Sequence, residues 1–207
     1  MLLRDDSVGV VGLILSGGRG TRLGGGDKGL VNFGGRPLVL YGIANLQDVV
    51  DRIMISANRN EEVYRSFGLE VIRDEEEGYF GPLAGICAGM KAVEDAYIAT
   101  LPCDMPHVPP EVFHCLLERL SRSRVPLVVA HDGMRLQSLL MLAHASLYPS
   151  IDDYLKRGER RVEGWIRSVP HQVQDVSQWR SCLSNINTRE ELKTFEGFDA
   201  EGAALSR

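Results

Sequence analysis

Residues 13–29 read LILSGGRGTRLGGGDKG, an apolar run that passes directly into a glycine-rich loop carrying three cations. The run over residues 8–15 predicts a buried strand. Ser16, Gly17, Gly18 and Gly20 follow it, and residues this small let backbone N–H groups approach a ligand closely. Successive exposed N–H groups form an anion-binding concavity. Arg19, Arg22 and Lys28 add positive charge there, in a chain whose formal net charge is -5. The loop therefore runs against the overall balance and points to an anion.

Two common phosphate motifs do not fit this loop. A P-loop closes on Gly-Lys-Ser/Thr, whereas Lys28 stands between Asp27 and Gly29. Gly24, Gly26 and Gly29 spell G-x-G-x-x-G, but they lie well past the strand end instead of forming the first strand-to-helix turn, which argues against a dinucleotide fingerprint.

The loop resembles the signature of Rossmann-like nucleotidyltransferases, roughly L-A-G-G-x-x-x-R-M-G-x-x-K, here Leu15-Ser16-Gly17-Gly18, Arg22-Leu23-Gly24 and Lys28. Within that superfamily the chain is most similar to the molybdenum cofactor guanylyltransferases (the MobA family). Gly81-Pro82-Leu83-Ala84-Gly85, Leu101-Pro102-Cys103-Asp104-Met105-Pro106, Gly158-Glu159-Arg160-Arg161 and Asn185-Ile186-Asn187-Thr188 look like that family's later motifs, in its order. The likeness spans residues 8–195. It implies an α/β fold, three layers α/β/α, with a mostly parallel sheet and one antiparallel strand.

At 207 residues, with 44% hydrophobic and 25% charged residues, the chain suits one globular domain over residues 1–195, with residues 196–207 expected to form a disordered tail. The acidic balance argues against a nucleic-acid binder. No apolar run reaches bilayer length, and residues 1–7 are too short and acidic for a signal peptide. The expectation is a cytoplasmic enzyme that works on neither nucleic acid nor membrane. Cys87, Cys103, Cys115 and Cys182 are widely spaced and read as buried small hydrophobes. The five histidines show no metal-ligand spacing.

Along the chain, strands alternate with helices, which favours a parallel sheet. Strands are expected over residues 52–57, 69–72, 96–101 and 125–130. Helices are expected from Pro37, over 61–67, after Gly81-Pro82 and from Pro109-Pro110. Residues 137–142 read as an antiparallel strand, 146–157 as a helix interrupted by Pro149, and 171–176 as a late strand. Weaker helical patterns cover 162–167 and 188–195. The stripe Leu83, Ile86, Cys87, Met90 and Val93 recurs at helical spacing and reads as core. The amino terminus of that helix is what faces a ligand, because its free N–H groups favour an anion or a polar carbonyl.

Nucleotidyl transfer needs positive charge on the phosphates, a divalent cation and in-line positioning. Lys28 is the candidate phosphate clamp, since an ammonium on a long stem follows moving charge. Asp104, just past a strand end, is the candidate magnesium ligand, since a hard cation that keeps several waters needs only one or two carboxylates. By resemblance, Leu15, Ser16, Gly17, Gly18 and Arg22 join Lys28, Asp74 and Asp104 around GTP, with Asp74 accepting from guanine. Gly81, Pro82, Leu83, Gly85, Arg160, Asn185 and Asn187 are expected around molybdopterin. The family often places an Asn where this chain has Ser56, and Asn58 lies two positions on.

The resemblance thus implies transfer of GMP from Mg2+-bound GTP to the terminal phosphate of molybdopterin, with release of pyrophosphate. It also implies transient contacts with proteins that supply and receive the cofactor. A cytidylyl- or sugar-phosphate nucleotidyltransferase is the alternative enzyme. A non-catalytic carrier of nucleotide or molybdopterin is the alternative of another class.

Overall fold

The computed structural model describes residues 8–17, 26–74, 81–188 and 191. Strand β1 (Gly9–Leu15) forms because its residues are apolar on both sides, and all but Gly9 are buried. Val10 and Ile14 pack into one core while Val11, Leu13 and Leu15 pack into another. A strand covered on both faces belongs inside a parallel sheet.

A two-residue Gly34-Gly35 turn, both at positive φ, joins β2 (Asn32–Phe33) to β3 (Arg36–Pro37). Such a turn follows the right-handed twist of the flanking strands. Helix α1 (Leu38–Leu46), β4 (Arg52–Ser56), α2 (Glu61–Arg65), β5 (Glu70–Ile72), α3 (Pro82–Lys91) and β6 (Ala96–Pro102) follow. Then come α4 (Pro110–Ser121), β7 (Leu127–His131), β8 (Leu136–His144), α5 (Tyr148–Lys156), α6 (Val162–Ser168) and β9 (Gln172–Asp175).

Seven strands make one sheet in the order β5-β4-β1-β6-β8-β7-β9. Only β8 runs against its neighbours β6 and β7, so the expected mostly parallel sheet with one antiparallel strand is what forms. The pairing of β7 with β8 slips between Val129, opposite Met141, and Ala130, opposite Gln137. The extra residues of β8 bulge there. α1 and α4 cover one face, with Val39, Leu46, Phe113 and Leu116. α3, α5 and α6 cover the other, with Leu83, Ile86, Ile151 and Trp165. Among the described residues no helix is long and apolar enough to cross a membrane.

Pro149 does not interrupt a helix as expected. It sits in the first turn of α5, preceded by a 3-10 turn over Ala145–Leu147, where a missing N–H costs nothing. The expected helix over residues 188–195 and the expected tail lie outside the described residues, Thr188 and Glu191 excepted.

Trp165 is fully buried under the sheet and donates from Nε1 to Ser150 Oγ at 3.3 Å. Trp165→Ala is expected to cost about 3–5 kcal/mol, the range for deleting a buried aromatic. The measurement is a urea midpoint that falls while the m value stays constant.

Candidate active site

Four parallel strands end at the same edge of the sheet. β1 stops at Leu15 beside Ser56 of β4 and Pro102 of β6, and Ser56 pairs with Ile72 of β5. The residues immediately past these ends, Gly17, Asn58, Asp74, Cys103 and Asp104, line a cleft of about 400 Å³. The carboxyl edge is where open α/β sheets hold their ligands.

At one end of the cleft stand Lys28 and Asp104. Lys28 opens a 3-10 turn, Lys28–Leu30, and its Nζ donates to Asp104 Oδ2 and, at 2.8 Å, to Asn187 Oδ1. Asn185 Nδ2 donates to the same Asp104 oxygen at 3.0 Å. Both ionic side chains are mostly covered, with 14% and 12% of their surface exposed, so water screens the pair only weakly.

Asn185 and Asn187 reach the pair from either side of Ile186. Ile186 is fully buried against Phe33 and Leu38, and its N–H bonds to Asp104 O at 2.8 Å. Glu191 then accepts from Asn187 N and Thr188 N at 2.7 and 3.0 Å, and its own N–H donates to Thr188 Oγ1 at 3.1 Å. That is a capping box, and it holds Asn187 in place facing Lys28.

At the other end Asp74 is held by Asn58. Asn58 Nδ2 donates to Asp74 Oδ2 at 2.7 Å and Asn58 Oδ1 accepts from Asp74 N at 3.0 Å. Between the two ends, Gly81 and Pro82 bring the amino terminus of α3 to the cleft wall, with Gly81 at φ 76, a conformation that favours glycine. Gly85 lets α3 close on the sheet, since a Cβ there would lie 2.4 Å from Ser56 Oγ.

Of the residues singled out from the sequence, Leu15, Gly17, Lys28, Asp74, Asp104, Gly81, Pro82, Gly85 and Asn185 line the cleft. Ser16 is buried behind it, with its N–H on Ser56 O at 2.9 Å. Leu83, Arg160 and Asn187 are not among the residues that line the cleft, and the burial of Leu83 agrees with the reading of its helical stripe as core. Leu83 is fully buried in the core beneath α3, because the helical period turns it inward. Arg160 donates to Leu155 O and Glu159 O, each at 2.7 Å, closing the carboxyl end of α5 instead of lining the cleft. Gly18 and Arg22 lie outside the described residues. Ser56 and Asn58, left aside on sequence grounds, both line the cleft. Asn58 carried no local signal, because its partner lies 16 residues away.

Residues 12–174 match the family model of the MobA-like NTP transferase domain. The chain is 38% identical over 179 residues to the molybdenum cofactor guanylyltransferase of Shewanella piezotolerans, covering 86% of this chain and 88% of that one. The chain belongs to the MobA-like NTP transferase family. It is also 37% identical over 202 residues to the molybdenum cofactor guanylyltransferase of Cupriavidus pinatubonensis, covering 95% and 99%. Its fold matches molybdopterin-guanine dinucleotide biosynthesis protein A of Archaeoglobus fulgidus with a TM-score of 0.78 at 20% identity, over 92% of this chain and 99% of that one.

The electrostatics of this cleft are set by burial. Burial pushes the Cys103 thiol up to about 12, with the Asp104 charge adding to it, so this cleft-lining cysteine keeps its proton at neutral pH. Burial also raises the Asp74 carboxyl, against the lowering effect of the Asn58 hydrogen bond. Asp74 Oδ1 is buried without a hydrogen-bond partner among the described residues. A carboxyl raised on folding keeps its proton longer in the folded chain than in the unfolded one. Its ionisation therefore costs stability as pH rises from the ordinary carboxyl value to the raised one, and the loss is absent below that window. Asp74→Asn is expected to remove this step, so the difference in unfolding free energy between variant and parent should shift in the variant's favour across that window. Denaturant titrations of both chains at a series of pH values measure it.

Proposed function

We propose that the chain transfers the GMP moiety of magnesium-bound GTP to the terminal phosphate of molybdopterin, forming the guanine dinucleotide cofactor and releasing pyrophosphate. The observation that carries this reading is the cleft itself. A cation, Lys28, and a carboxylate, Asp104, meet at one end, and an unsatisfied carboxylate, Asp74, stands at the other. A guanine nucleotide laid between them puts its N1–H and amine on Asp74 and its phosphates on Lys28. The two guanylyltransferases at 38% and 37% identity support the same chemistry.

Asp104 is suited to magnesium. Its Oδ2 takes Lys28 and Asn185, while its Oδ1 is buried with no hydrogen-bond partner among the described residues. No group of three or more His, Cys, Asp or Glu gathers among the described residues to make a full protein cage. One carboxylate with phosphates and water is the usual arrangement for this ion. Bound magnesium supplies charge neutralisation at the phosphates.

The remaining work falls to the chain's own groups. The backbone of Leu15, Ser16 and Gly17 lies against the nucleotide at the end of β1. Lys28 holds the α-phosphate region as negative charge builds there, and Asn185 and Asn187 fix Lys28 and Asp104 relative to each other. The amino terminus of α3 at Gly81 and Pro82 faces the acceptor. The attacking phosphate is ionised at neutral pH, so no general base is needed and catalysis is positioning plus electrostatics.

Base selectivity tests the assignment. A site that pairs guanine leaves its own polar groups unsatisfied with another base, roughly 1–3 kcal/mol for each buried group. GTP is expected to outcompete ATP and CTP in pyrophosphate release with molybdopterin as acceptor, and equal turnover of all three would remove the guanylyl reading.

Asp104→Asn tests the metal. The amide keeps the size of the side chain and an acceptor for Lys28 while removing the charge a cation needs. Pyrophosphate release is expected to fall by something on the order of 10²–10³, the cost typical of losing one preorganised electrostatic group. Nucleotide affinity measured by calorimetry should fall only modestly. Normal turnover of the variant at low magnesium would place the metal elsewhere.

A further inference from the structure

Lys28 is only as well placed as the turn it grows from, and that turn is held from a distant part of the chain. Asp27 caps the Lys28–Leu30 turn, its Oδ1 accepting from Gly29 N at 3.2 Å. A capping aspartate in a surface loop normally offers its remaining lone pairs to water. Here Tyr64 Oη donates to Asp27 Oδ1 at 2.5 Å and Asn60 Nδ2 donates to Asp27 Oδ2 at 3.2 Å. Both donors come from the β4–α2 region, 37 and 33 residues further along the chain.

Three features mark this contact as more than a chance surface bond. Tyr64 is fully buried, and burial first, then its bond to Asp27, raise its phenol well above the ordinary value. It is therefore a permanent donor. Gly29 is the residue that admits it, since a Cβ there would lie 2.4 Å from the Tyr64 hydroxyl and 3.0 Å from Ser16 Oγ. Asn60, at φ 49, is the one non-glycine residue with positive φ among those described. Such a conformation persists where surrounding contacts enforce it, and it clusters at functional sites.

We propose that Tyr64 and Asp27, with Asn60, form a latch whose function is to position Lys28 for nucleotidyl transfer; the inference rests on the reading of Lys28 as the phosphate-binding cation. Neither Tyr64 nor Asp27 lines the cleft, so both act through Lys28. The same region orders the far end of the cleft, because Asn58 holds Asp74. One seven-residue stretch, from Asn58 to Tyr64, thus sets the spacing between the base-reading carboxylate and the phosphate-binding ammonium. That spacing is what a nucleotide of fixed length must match, and a displacement of about 1 Å at a reacting centre costs on the order of 10²-fold in rate.

Tyr64→Phe tests the latch, since it keeps the ring and its packing and removes only the donor. The expected result is a kcat about 10- to 100-fold lower with a GTP KM changed less than about threefold, because positioning is lost while most ground-state contacts remain. In a Lys28→Ala background the same substitution should have no further effect on kcat, since residues acting through one another are non-additive. Asp27→Ala, which removes the acceptor instead of the donor and leaves the Tyr64 ring in place, should reproduce both results.

An activity-independent readout separates this latch from the functional assignment. Amide exchange at Gly29, followed by NMR in the nucleotide-free chain, should accelerate in Tyr64→Phe while exchange in β1 and β6 is unchanged. If the parent chain released no pyrophosphate from GTP but Gly29 exchange rose, the assignment would fail and the latch would stand as an anchor of the turn. Unchanged Gly29 exchange, or a kcat loss of equal size with and without Lys28, would overturn the latch.

Discussion

The parallel pairing of β1 with β6, from Gly9 opposite Ala96 to Leu15 opposite Pro102, is the constraint on which the rest of the molecule depends. Register in a sheet buried on both faces is strongly specified, because a slip of one residue would exchange the side chains of the two cores. The two chain segments that leave this pair carry the glycine loop on one side and Asp104 on the other. Their meeting is a consequence of register, reinforced by Cys103 N bonding to Leu15 O at 3.1 Å.

What gathers at that edge is charge that folding does not reward. A mostly covered ion pair such as Lys28–Asp104 recovers in mutual attraction about what it loses in hydration, so it is weak evidence of a stability role. Its neighbours are arranged for geometry. Asn185 and Asn187 each touch one member of the pair, Ile186 between them is locked into a small apolar cluster, and Glu191 caps the backbone of Asn187. Asp104 Oδ1 and Asp74 Oδ1, buried without hydrogen-bond partners among the described residues, sit at the two ends of the cleft. Such groups cost stability as long as they stay unpaired. The site is thus held in a binding-ready arrangement by the surrounding packing.

The division of labour between the two faces of the sheet follows from the same economy of structure. The face under α3, α5 and α6 is continuous apolar packing, from Leu83 to Trp165. The face under α1 and α4 contains Tyr64, whose hydroxyl reaches out of that core to Asp27. A core residue with one polar end is a means of fixing a loop to a rigid body, since the ring is held by packing while the hydroxyl bonds outside the core.

Local pattern was enough for the succession of strands and helices, and the resemblance to the nucleotidyltransferase motifs supplied the layered architecture and the candidate site residues. The unbroken apolar run of β1, the strand–helix alternation after it, and the Pro-initiated helices α3 and α4 each announce themselves through short-range chemistry. Lys28 and Asp104 stood out because of the residues beside them. The expected helical break at Pro149 failed because proline is compatible with a first turn, which composition alone does not distinguish from an interior. The inward turn of Leu83 was implicit in the helical stripe to which it belonged. Arg160 looked like a ligand residue because of the motif around it, whereas its guanidinium turns back onto the carbonyls of Leu155 and Glu159. Asn58 with Asp74, and Tyr64 and Asn60 with Asp27, gave no sign, since each pair is separated by between 16 and 37 residues. The sequence by itself therefore determined which elements form and which charged groups stand at their ends. Only the tertiary structure decided which distant side chains hold those groups in place, because hydrogen bonds across the fold depend on where the sheet register brings the strand ends, and no local spacing encodes that.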